Sequence, residues 1–88
     1  MPHQTPNDAA ATALAALAAA LTDERRAQRF LELTGIGTDE LRRRLGDPAL
    51  LASFLAFLEA HEPDLLAVAE QSGFKPEQLV EARRVLEQ

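Results

Sequence analysis

The chain has 88 residues without cysteine, tryptophan or tyrosine, which restricts it to one small domain and removes disulfide scaffolds, thiol catalysis and thiolate metal sites together. A hydrophobic fraction of 47% with 26% charged residues is the composition of a folded chain. The formal charge of −5 argues against general affinity for phosphate backbones or anionic membranes, since both draw on excess lysine and arginine.

Residues 1–6, MPHQTP, hold two prolines and no periodicity, and are expected to form a disordered tail before a single helical domain over 7–88. The run over 9–21 is almost wholly apolar. It is shorter than the roughly 20 residues a spanning helix needs, and no lysine or arginine precedes it as a signal peptide requires. No membrane segment and a cytoplasmic location are therefore expected. Asn7 or Asp8 is suited to cap a first helix reaching about Leu21, with Leu14, Leu17 and Leu21 on one face among alanines whose small side chains permit close helix contact.

Thr22 is the expected cap of a second helix, with Asp23 and Glu24 in the first turn, where the helix dipole favours negative charge. That helix carries Phe30, Leu31 and Leu33 and stops at Gly35, the residue that most easily turns left-handed. Ile36 is placed for the apolar contact that accompanies such a stop. Thr38 is expected to cap a short third helix over 39–45, ended by Gly46, and Asp47 with Pro48 to open a fourth.

From 48 to 60 the only polar residues are Ser53 and Glu59, while Leu50, Leu51, Phe54, Leu55, Phe57 and Leu58 cover much of the circumference. A helix apolar nearly all round is buried on most sides. Pro63 opens a fifth helix closed by Gly73, with Phe74 in the place Ile36 holds earlier, and Pro76 opens a sixth carrying Leu79, Ala82, Val85 and Leu86. No segment alternates with period two. The expected class is all-α: a compact orthogonal bundle of five or six short helices around a central apolar helix at about 48–60.

The string Arg29-Phe30-Leu31-Glu32-Leu33-Thr34-Gly35-Ile36, then Gly46-Asp47-Pro48 followed by Leu51, Leu55, Phe57 and Leu58, then Glu62, Leu65, Leu66, Gly73, Pro76, Ala82 and Arg83, resembles the bacterial domain-of-unknown-function family 3572. The resemblance spans about 9–87. It implies a helical domain without an assigned activity, and its shared positions are caps and core residues, so it carries over no catalytic residue.

Ala69, Gly73 and Leu79 have the spacing of the small residue, turn glycine and packing residue of a helix-turn-helix, which would make residues 65–87 a nucleic-acid reader offering Lys75, Gln78, Arg83 and Arg84. Charge opposes this. Residues 48–88 carry three basic side chains against seven acidic ones, while 1–47 carry six against seven. Phosphate contacts supply much of DNA affinity, and the supposed reading half is the more acidic.

Arg25, Arg26 and Arg29 form a second candidate, an interaction surface on the second helix. Arg25 and Arg29 lie four apart and repel mildly, so they call for an acidic partner in the fold or on another protein. On the third helix Arg43 and Arg44 follow Asp39 and Glu40 by four residues, the favourable order, which makes that cluster self-compensating.

His61, near Glu59, Glu62 and Asp64, is better explained as a histidine at a helix end than as a metal ligand. Ser53 and Ser72 have no paired base at readable spacing, and there is no glycine-rich phosphate loop. Neither catalysis, metal nor cofactor is expected. What remains is a non-enzymatic helical interaction module, acting by a helix-in-groove contact with another protein or by self-association through apolar surface on the first helix, with the helix-turn-helix nucleic-acid binder as the alternative.

Overall fold

In the computed structural model, which describes residues 5–88, every element is helical: α1 Pro6–Leu21, α2 Glu24–Thr34, α3 Thr38–Arg43, α4 Pro48–Glu59, α5 Glu62–Ser72 and α6 Pro76–Leu86. The all-α bundle is thus observed, with six helices. Its radius of gyration of 11.9 Å matches the roughly 12 Å that size scaling gives a domain of this length.

The boundaries follow from local chemistry. Thr5 caps α1 through a reciprocal pair, its hydroxyl accepting from the Asp8 amide at 3.1 Å while Asp8 Oδ2 accepts from the Thr5 amide at 3.3 Å. The helix therefore begins at Pro6, earlier than a cap at Asn7 or Asp8 would set it, and Thr5 and Pro6 leave the expected tail. The first four residues of that tail, Met1 to Gln4, lie outside the described residues.

Two further caps shift by one residue. Thr22 closes α1, its hydroxyl donating to Ala19 O at 2.7 Å, and it is Asp23 whose carboxylate caps α2. Gly37 rather than Thr38 precedes α3, which ends at Arg43, so Gly46 lies beyond a short turn and does not stop the helix. Gly35 and Gly73 close α2 and α5 at φ of 71° and 80°, and Ile36 and Phe74 pack on the core beside them.

In α4, Leu50, Leu51, Ala52, Phe54, Leu55 and Leu58 are buried, and the helix packs on α1, α5 and α6. The central position is shared with α1, which lies against α2, α4, α5 and α6. The buried residues of α1 are Ala9, Ala13, Ala16, Leu17 and Ala20, whereas Leu14 and Leu21 are 38% and 40% exposed. The expected leucine face is thus corrected at Leu14 and Leu21, while Leu17 is in the core. Alanines at steps of four, three and four line the rest of the inner side, where small side chains let the neighbouring helices come close.

Candidate interaction surfaces

The arginines of α2 are oriented by the residues around them. Asp23 Oδ1 accepts from the amides of Arg25 and Arg26 at 3.0 and 3.2 Å, and these bonds, the one from Arg26 foremost, hold its carboxyl below the ordinary value of 3.8, aided by the charge of Arg26. One turn on, Phe30 enters the core and meets Phe54 edge-on at 5.4 Å between ring centres and Phe57 at 5.3 Å. Arg26 and Arg29 share the side that faces α5.

There both reach one carboxylate. Asp64 is 6% exposed; its Oδ1 accepts from Arg26 Nε at 3.1 Å, and its Oδ2 accepts from Arg29 Nη2 and lies 3.0 Å from His61 Nδ1. Arg29 also sits over the Phe57 ring, 5.7 Å from its centre. Arg26 Nη1 is buried without a hydrogen bond, 3.7 Å from Asp23 Oδ2. Of the pair Arg25 and Arg29, which calls for an acidic partner, Arg29 finds one within the fold, 35 positions along the chain, and shares it with Arg26. Arg25 points elsewhere: it is exposed and makes no ion pair among the described residues.

Buried and gripped by two guanidiniums beside an imidazole, Asp64 ties α2 to the start of α5. No group of three or more histidines, aspartates or glutamates able to hold a metal occurs among the described residues.

Of the helix-turn-helix candidates, the two arginines are similarly engaged. Ala69 and Leu79 are buried and Gly73 makes the turn, so the local pattern is real as packing. Lys75 precedes α6, and its amide donates to Gln78 Oε1 at 2.8 Å. Arg83 grips Glu59 on α4 and also pairs with Glu87, which raises its pKa, mainly through the Glu59 bonds. Arg84 lies 3.8 Å from Glu81. On α3, Asp39 pairs with Arg42 at 3.9 Å instead of Arg43, and Arg44 bridges Glu40 and Asp47 at 3.3 and 3.0 Å. Six of the nine basic residues, Arg26, Arg29, Arg42, Arg44, Arg83 and Arg84, are thus compensated within the chain. The other three, Arg25, Arg43 and Lys75, form no ion pair among the described residues and stand on α2, on α3 and just before α6.

Two further surface features stand out, the first of them mainly polar in its lining. An open groove of about 550 Å³ runs between the end of α2, α3 and the start of α4, lined by Leu33, Thr34, Ile36, Arg44, Leu50 and Ser53. Its arginine is the one already held by Glu40 and Asp47, so no free charge points into it. The other feature is the outer side of α1. Ala11, Leu14, Ala15, Ala18 and Leu21 are all exposed, and from 9 to 21 the only polar residue is Thr12. No helix among the described residues is long and apolar enough to cross a membrane, so a bilayer span does not account for this face.

These features define a small all-helical domain with most of its basic side chains paired internally and an apolar outer face on α1. The chain belongs to the family described as Protein of unknown function (DUF3572), whose model matches residues 6–88, in agreement with the resemblance carried by its cap and core positions. No curated protein and no solved structure matches it.

Two features of these surfaces, the burial of Asp64 and the outward leucines of α1, differ in the signal they leave in the sequence. Asp64 is legible in principle, because it falls with Leu65, Val68 and Ala69 on the buried side of α5, where an acid calls for a cation. The outward leucines of α1 carry no such signal, since leucine and alanine are both apolar.

Proposed function

We propose that the protein is a non-enzymatic helical interaction module that docks another polypeptide along α1. The observation that carries this is the outer face formed by Ala11, Leu14, Ala15, Ala18 and Leu21, uncharged and exposed on a chain whose formal charge is −5. Covering such a face removes apolar surface from water without stripping solvent from any ion, and its alanines let a second helix approach closely. The engaged arginines support the same choice, because a phosphate-binding surface would need them free.

The test places a photo-crosslinking amino acid at Ala15, with Glu77 on the acidic side of α6 as control, in the native cell. A covalent protein adduct from position 15 and none from position 77 is expected. Absence of any protein adduct at 15, or equal labelling at both, overturns the proposal.

A further inference from the structure

We infer that the polypeptide covering α1 is a second copy of this chain, its α1 laid antiparallel along the first; this rests on the docking role proposed for α1 and names its partner. The argument begins with size. Leu14 and Leu21 are the large side chains of the exposed face, and Ala11 and Ala18 are the small ones flanking them. When two such helices run antiparallel about a two-fold axis level with residue 16, position 14 of one meets position 18 of the other, and position 21 meets position 11. Each leucine then stands over an alanine, a self-complementary arrangement of knobs and holes, with Ala15 next to the axis. A parallel pair would set leucine against leucine and leave the alanines facing a gap.

Charge points the same way. Asp8 continues the exposed stripe one turn before Ala11, and Arg25 lies just past the Leu21 end, exposed and without an ion pair among the described residues. Antiparallel pairing brings Asp8 of each copy towards Arg25 of the other, at both ends of the contact. It also sets the two helix dipoles in opposite directions. The 16 residues of α1 make a rod about 24 Å long, which as a helix pair falls below the roughly 1,200 Å² of stable complexes and sets the dissociation constant in the micromolar range or above.

The experiment uses the full chain. Sedimentation equilibrium from about 5 μM to 1 mM should show the mass rising from 9.6 kDa towards twice that value, with Ala18→Glu weakening association at least about tenfold while the melting temperature at low micromolar concentration, where the chain is monomeric, stays unchanged, since Ala18 is exposed. Because the chain has no native cysteine, the orientation can be read by oxidation of single-cysteine variants. Ala15→Cys should form a disulfide-linked dimer readily. Ala11→Cys should not, because antiparallel pairing separates the two copies of that position by about 15 Å along the axis, beyond the roughly 7 Å limit for a disulfide. An equimolar mixture of Ala11→Cys and Leu21→Cys should give the mixed dimer. A single 9.6 kDa species at 1 mM, or ready Ala11→Cys dimers, overturns the inference. A monomeric chain whose position 15 crosslinks a different protein in the cell overturns self-pairing alone, whereas a chain without any adduct overturns the docking role as well.

Discussion

α1 and α4 are both almost wholly apolar, yet they serve opposite purposes. In α4 the mass is in leucine and phenylalanine, and six of its 12 residues are buried, so the helix fills the centre with side chains. In α1 the mass is in alanine, so the helix brings its backbone close to its neighbours, and its two outer leucines stay on the surface. Apolar content alone therefore does not mark an inside. Side-chain volume decides how near two helices come, and that separation decides which residues find room between them.

The largest test of the contrast is in α4. Leu55→Ala, at a position with 0% exposure, should lower stability by about 3 to 4 kcal/mol in a urea titration; a midpoint equal to the parent's would remove α4 from the core. Next comes the clasp that holds the outlying α2. Asp64→Ala leaves the largely buried Arg26 with only Asp23, 3.7 Å away, and should cost about 2 to 3 kcal/mol, discounted because Arg29 is 43% exposed. Adding Arg26→Met should recover part of that loss; a double variant weaker than the single would show that the pair is not the source.

The close approach at α1 predicts the reverse of the α4 result. Ala13→Leu enlarges an apolar side chain yet should destabilise by about 1 to 3 kcal/mol, because no space exists beside a residue of 0% exposure. A gain in melting temperature would mean that the inner face of α1 is loosely packed. Leu14→Ala, on the outer side of the same helix, should change monomer stability by no more than about 0.5 kcal/mol, measured at low micromolar concentration.

The smallest effect is at the start of α4 and is visible only in acid. Hydrogen bonds from the Ala49 amide, then from Arg44, hold the Asp47 carboxyl below its ordinary value of 3.8. A carboxyl with a depressed folded pKa contributes stability that is complete above the unfolded value and disappears as pH falls through the folded one. Lowering the pH from 5 to 2 should therefore destabilise the parent more than Asp47→Asn, which keeps a capping oxygen but does not titrate. Equal losses in both would show that Asp47 plays no part in acid unfolding.

Six helices in their right order are legible in the amino-acid sequence, and so is the burial of Phe54, Leu55 and Leu58. Gly35, Gly73, Pro48, Pro63 and Pro76 mark helix ends through backbone preferences that operate within a few residues, and α4 is apolar enough to be buried in any packing. The departures at Thr5, Asp23 and Gly37 are small displacements among neighbours that can all cap. The face of α1 departs for a different reason: periodicity identifies an apolar stripe, but α1 has apolar residues on every side.

The candidate surfaces are legible to a smaller degree. Arg25, Arg26 and Arg29 stand out as a cluster in want of acid, but whether that acid belongs to this chain depends on where α5 comes to rest. In the fold Asp64 takes Arg26 and Arg29 and leaves Arg25 in solvent. The charge imbalance of the second half already opposes a nucleic-acid role, and the Arg83 pairing with Glu59 across α4 and α6 deepens it.

Short-range physics accounts for what the amino-acid order dictates here: all-helical structure, its punctuation, one inevitable core helix and a surplus of acid. Packing of the six helices against one another was needed to turn four alanines and Leu17 inward on α1 while Leu14 and Leu21 stay outside, to close Asp64 on two arginines, and to leave one uncharged helix face open. Those outcomes depend on volumes and distances between residues far apart in the chain, which come into contact only when the helices meet.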